Sequence, residues 1–152
     1  MYEGGFTFEE YNEQIPDHKE VLSLLNDDQD IKEFFHSIDS YILNIQQNED
    51  KYATDHVCVA KIGETTIGMT MSKQYPDYVE VYYALLPKFQ LEGIGAFMLE
   101  SFCTCLFRTY GLDKLYLQIN SKNDKHRIIA SRVGFTKDKQ SRYVINNYVQ
   151  NH

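Results

Sequence analysis

The stretch Leu86-Pro87-Lys88-Phe89-Gln90-Leu91-Glu92-Gly93-Ile94-Gly95-Ala96 decides how the chain folds. Before it, Tyr78 to Leu86 is rich in aromatic and β-branched residues and predicts a long strand. After it, from Gly95 to Arg108, the apolar residues Phe97, Met98, Leu99, Phe102, Leu106 and Phe107 recur at helical spacing, and Tyr110-Gly111 ends the run as a glycine C-cap. Two glycines where a strand passes into a helix let the backbone approach a ligand closely. The unpaired first amides of that helix, at the positive end of its dipole, suit an anion such as a phosphate. A plain turn with close helix packing is the alternative. No Lys-Ser/Thr follows the glycines, which excludes an NTPase phosphate loop, and the third glycine and downstream acid of the dinucleotide fingerprint are missing.

On either side the pattern is mixed. Phe6 to Tyr11 alternates as a first strand, Pro16-Asp17 opens a helix through Leu25, and Asp30 caps a second carrying Ile31, Phe34, Phe35, Ile38, Ile42 and Ile45. His56 to Ile62, the turn Gly63-Glu64 and Thr65 to Lys73 read as a hairpin. Lys114 to Ile119 is a strand, Asn123 to Val133 a helix ended by Gly134, and Arg142 to Val149 a last strand. The chain is therefore α/β, with a central strand-loop-helix-strand unit that favours a right-handed parallel crossover. With no Gly/Ser linker, low-complexity tract or repeat, residues 1–152 read as a single domain.

Fifteen Lys and Arg against 22 Asp and Glu give a net charge of −7. That balance argues against nucleic acid or anionic membrane as a partner and leans toward a cationic one such as an amine. Asp27, Asp28, Asp30, Glu49 and Asp50 are candidates for a negative rim or for plain solvated surface. No apolar run approaches the roughly 20 residues of a membrane span. Cys58, Cys103 and Cys105 form no CxxC pair, and on a helix Cys103 and Cys105 point about 200° apart. They read as packing residues in a reducing, cytoplasmic setting, with no metal expected.

The segment LLPKFQLEGIGAFML (85–99) resembles the acyl-CoA-binding motif of the GNAT superfamily of N-acyltransferases, Q/R-x-x-G-x-G/A after a strand, with Gln90, Gly93 and Gly95 in its fixed positions. A second family element, an Asn eleven residues before Gly-Phe, is matched by Asn123 and Gly134-Phe135. The resemblance covers roughly Val57 to Phe135 and implies a GNAT-like fold, with a central mixed, mostly antiparallel sheet that splays between its fourth and fifth strands. It implies acetyl-CoA as co-substrate, with Gln90, Leu91, Glu92, Gly93, Ile94, Gly95 and Ala96 around the pyrophosphate. Leu85 and Leu86 would then offer backbone groups to the pantetheine arm, with Asn123 near that arm or serving as a helix N-cap.

Where family members often carry a tyrosine seven residues after the Asn, this chain has Ala130. NDKHRIIASRVGF (123–135) is similar to N-x-x-S-x-x-V-A/L-x-K/R-x-G-F of the branch that acetylates protein N-termini, with His126 in place of the Ser. His126 lies one helical turn before Ala130 and is a candidate proton donor to the departing sulfur or a plain surface histidine. Glu80, the only carboxylate of the Tyr78–Leu86 strand, is the candidate base. It sits one residue from the expected place, and such a slip reverses the face of a strand unless a bulge corrects it. Tyr82 and Tyr83 are candidates to line the acceptor cleft. The implied activity is direct acetyl transfer to a primary amine of a small molecule or a peptide N-terminus. The alternative is a non-catalytic acyl-CoA-binding module, and a homodimer is left open.

Overall fold

The computed structural model describes residues 1–27, 52–90, 93–119 and 124–149. The helix expected to open at Asp30 lies outside them. The strands are β1 (Tyr2–Glu3), β2 (Phe6–Glu10), β3 (His56–Ile62), β4 (Thr65–Gln74), β5 (Val79–Leu85), β6 (Lys114–Leu117), β7 (Thr136–Lys137) and β8 (Tyr143–Asn146), and the helices are α1 (Pro16–Asn26), α2 (Ile94–Tyr110) and α3 (Asp124–Val133). All eight strands form one sheet in the order β1-β2-β3-β4-β5-β6-β8-β7, antiparallel throughout except between β5 and β6. The two-residue strands β1 and β7 were not expected, because two residues carry no period. The last strand is shorter than the predicted Arg142–Val149: at Asn147 the side chain turns to the Leu112 carbonyl (2.8 Å), and the chain leaves the sheet.

Both faces of the sheet are covered, which is why its central strands are apolar almost without interruption. Alternation along β5 sends Val79, Val81, Tyr83 and Leu85 to the face covered by α2, among Phe8, Cys58, Met98, Leu99, Phe102 and Leu106. Tyr82, Ala84 and Leu86 go to the other face, with Val57, Val59, Met69 and Met71 against Val21, Leu22 and Leu25 of α1. Helix α1 is anchored further by His18, which is fully buried. Its Nδ1 accepts the Asn12 N–H (3.0 Å), so its Nε2 donates to Glu9 (2.8 Å). Helix α2 ends as expected at Gly111, left-handed at φ 62°, whose N–H returns to the Phe107 carbonyl (2.9 Å).

The feature that shapes the site is where β5 and β6 stop pairing. Their contact is limited to Glu80 opposite Tyr116 and Val81 opposite Leu117, while β5 continues to Leu85 on β4. A wedge therefore opens beside Tyr82–Leu85. β5 approaches β4 closely here: a Cβ at Gly68 would lie 2.1 Å from the Ala84 carbonyl oxygen. Gly68→Ala is expected to destabilise the protein by roughly 2–3 kcal/mol, because backbone and not a flexible side chain must move. Urea unfolding checks it, and an unchanged midpoint would show that the strands yield freely.

Candidate active site

At the mouth of the wedge the chain makes a single 3₁₀ turn, Pro87–Phe89, and the Gln90 side chain donates from Nε2 to the Leu85 carbonyl (3.1 Å). Gly93 then caps α2 in the left-handed region, φ 73°, a conformation that L side chains resist. Among the described residues no side chain caps the helix, and its first amides are left at the positive end of the helix dipole. Gly95 is buried in the first turn, where an added Cβ would lie 3.1 Å from Ile129 Cδ1 and 3.5 Å from Leu85 Cδ2. The two glycines thus have separate reasons: Gly93 for the backbone conformation, Gly95 for the close seat of α2 on α3 and β5. Ile94 and Ala96 flank it, half-buried, while Leu91, Glu92 and Asn123 lie outside the described residues.

Within the wedge the backbone of β5 is polarised. The Leu86 N–H donates to the Ile67 carbonyl (2.9 Å) on the β4 side, and its carbonyl accepts from Phe89 (2.9 Å). Successive residues of a strand aim their backbone groups to opposite sides, so those of Tyr83 and Leu85 face the open side. The backbone groups offered to an extended ligand are thus those of Tyr83 and the Leu85 N–H, with the Leu85 carbonyl held by Gln90 and the Leu86 groups engaged inside the protein.

Glu80 stands where the strands part, on the α1 face of the sheet. It is half-buried in a cavity of about 360 Å³ together with Tyr75, Tyr78, Tyr116, Arg142 and Tyr143. Tyr82 donates its hydroxyl to the Glu80 carboxylate, and the Tyr75 hydroxyl lies 3.4 Å from that of Tyr82. Burial raises the Glu80 pKa above the ordinary carboxylate value, with the Tyr82 hydrogen bond, Lys73 and Arg142 pulling the other way. A carboxylate raised in this way takes up protons at higher pH than a surface glutamate. On the same face, a second cavity of about 420 Å³ runs between α1 and the Leu86–Lys88 turn, edged by Asp17 and Glu20.

Tyr83 projects from the opposite face of β5. Its hydroxyl is 2.6 Å from Nδ1 of His126 on α3, and burial pushes its pKa up, so the phenol stays protonated. Ala130, one turn along α3, is fully buried. The sequence reading singled out both Tyr83 and His126 but had no signal to join them: they are 43 residues apart, on different elements. Alternation alone separates Tyr83 from Glu80 by face.

A family profile described as acetyltransferase (GNAT) domain matches residues 8–136. The chain belongs to the GNAT acetyltransferase family. No curated protein matched it significantly. Among solved structures, the GNAT chain is similar to an aminoglycoside acetyltransferase, AAC(6')-Ib, in complex with coenzyme A (TM-score 0.70, 15% identity, covering 93% of this chain and 94% of that one). It is similar also to a spermidine N-acetyltransferase chimera from Vibrio cholerae and hSSAT (TM-score 0.68, 14% identity, 93% and 92%) and to a putative ribosomal-protein-serine acetyltransferase from Vibrio cholerae (TM-score 0.74, 12% identity, 96% and 96%). At such identities the likeness is one of fold, and it bears out the expected GNAT architecture. No described helix of this GNAT protein is long and apolar enough to cross a membrane.

Proposed function

We propose that this protein transfers the acetyl group of acetyl-CoA to the primary amine of a small molecule or a peptide N-terminus, directly, in a ternary complex. The observation that carries the proposal is the parting of β5 from β6 after Val81, with the uncapped N-terminus of α2 at its mouth. Backbone amides from Gly93 to Ala96 suit the pyrophosphate, with Leu91 and Glu92 just before them in sequence, Gln90 holds the turn against Leu85, and Asn123 is assigned to the pantetheine arm. The Tyr83 backbone and the Leu85 N–H suit the amides of the pantetheine arm, a strand-like pairing that asks nothing of side chains. The relatives in the fold comparison that act on aminoglycosides and spermidine, together with the net charge of −7, support a cationic small molecule as acceptor.

Bound acetyl-CoA supplies the thioester and the leaving thiolate. Glu80 accepts the proton that the attacking amine must lose as the C–N bond forms. Tyr83 hands its hydroxyl proton to the sulfur as the C–S bond breaks, and His126 replaces it from Nδ1 while its Nε2 takes up a proton from solvent. The relay is needed because a bare tyrosinate in so buried a place is costly. Base and acid stand on opposite faces of β5, so a thioester lying between the strands meets one on each side.

Turnover of a panel of polyamines, aminoglycosides and short peptides, read by mass spectrometry, tests the activity. Ala130 favours a second reading, a binding module without catalysis, and turnover of any amine well above thioester hydrolysis removes it. For the relay, Tyr83→Phe keeps the packing and is expected to lower kcat about 10²-fold with little change in the acetyl-CoA KM. His126→Gln is expected to reproduce part of that loss, again with little change in the acetyl-CoA KM. A Tyr83→Phe enzyme with wild-type kcat means the sulfur takes its proton from elsewhere.

A further inference from the structure

We propose that Glu10, His56 and Cys58 form a site for one divalent cation of zinc-like character, at the end of the molecule away from the CoA turn. Register brings the three together. β2 pairs with β3 so that Glu10 faces Cys58, and His56, two residues earlier on β3, shares the Cys58 face by alternation. One donor atom from each lies within 4.8 Å of the others. Cys58 is fully buried at the floor, His56 is half-buried, and Glu10 is exposed at the opening. Tyr110, the last residue of α2, closes one side, about 25 Å along that helix from Gly93.

The hydrogen bonds around His56 say which of its nitrogens is available. The single hydroxyl proton of Tyr110 goes to the Ala53 carbonyl (2.6 Å), so the same oxygen accepts Nε2–H of His56 (2.6 Å). Nδ1 then turns its lone pair toward the Glu10 carboxylate, which it contacts. Two electron-rich groups face to face call for a cation between them. A proton satisfies two groups, yet a third donor, the Cys58 sulfur, converges on the same point. Beside Cys58 in the register, on β4, is Thr70, fully buried, whose hydroxyl has no hydrogen-bond partner among the described residues.

Thiolate, imidazole and carboxylate together match the zinc donor set, with three protein ligands and a fourth position open to water on the Glu10 side, whereas magnesium and calcium prefer oxygen alone. Tyr110 takes the second-shell role, holding the His56 ring and its tautomer. Binding is redox-neutral: the metal–sulfur bond forms as the Cys58 S–H proton leaves to solvent. The site departs from the sequence expectation of a packing thiol and no metal, because Glu10 and His56 are 46 residues apart in the chain.

The test is titration of chelator-treated protein with Co²⁺ as an absorbing probe, followed by Zn²⁺ displacement. One equivalent is expected to bind with a thiolate charge-transfer band in the near ultraviolet, to raise the melting temperature, and to be displaced by Zn²⁺. Cys58→Ser is expected to lose the band, and Tyr110→Phe to weaken binding at least about 10-fold. Should Cys58→Ser fail to fold, Glu10→Gln at the exposed strand end decides, with the same loss of affinity expected. No charge-transfer band, which leaves a simple imidazolium–carboxylate pair, overturns the proposal, as does a band that survives in Cys58→Ser or an affinity untouched by Glu10→Gln.

Discussion

Glu80→Gln is expected to lower kcat for amine acetylation by about 10³-fold and at the same time to make the protein more stable at neutral pH. The two effects have one cause. Burial raises the Glu80 pKa in the folded state above its unfolded value, so the folded protein binds that proton more tightly than the unfolded chain does. Stability therefore falls as pH rises from the ordinary carboxylate range through the raised value, and at neutral pH the wild type carries the full cost of a half-buried carboxylate. The amide keeps a partner for the Tyr82 hydroxyl and lifts that cost. The gain in melting temperature is expected to be present above the raised pKa and to vanish below the ordinary carboxylate pKa. Activity of the wild type is expected to fall as pH drops through the raised pKa, and the variant to lack that limb. A variant that keeps both the rate and the limb would show that the amine loses its proton to water or to another group.

Gly95→Val is expected to weaken acetyl-CoA binding about 100-fold, or roughly 2.8 kcal/mol, as measured by calorimetric titration. A branched side chain in the first turn of α2 stands beside the amides proposed for the pyrophosphate. The same side chain also meets Ile129 and Leu85, so the melting temperature is expected to fall too. Combining it with Ile129→Ala separates the effects, because the shorter residue on α3 gives back the space without clearing the approach to the helix amides. The double variant is expected to recover much of the melting temperature and little of the affinity. Recovery of both together would assign Gly95 to packing alone and move the pyrophosphate elsewhere.

Much of the fold was legible because its decisive signals are local. Glycine at 63 and 111 marks a hairpin and a helix end where φ is positive, and both lie where the pattern put them. The sequence reading offers Tyr82 and Tyr83 together for the acceptor cleft, whereas alternation along β5 puts Tyr82 with Glu80 on one face and Tyr83 on the other. What could not be read was the partner of each group. Whether Glu80 sits in a cavity depends on β6 and β8 arriving beside it, and those strands come more than 30 residues later. The engagement of the Leu86 backbone depends on the register of β4, which a one-residue slip would invert.

The sequence by itself determined that a strand passes through two glycines into an apolar helix, and its Gln90, Gly93, Gly95, Asn123 and Gly134-Phe135 carried the resemblance to the family. Backbone conformation at glycine, strand alternation and helical spacing are set by residues within a few positions of one another. Only the tertiary structure decided that Tyr83 meets His126, that the wedge opens after Val81, and that Glu10, His56 and Cys58 converge. Those meetings depend on strand register and on how α2 and α3 seat against the sheet, and both are fixed by burial of side chains far apart in the chain, for which no local pattern stands proxy.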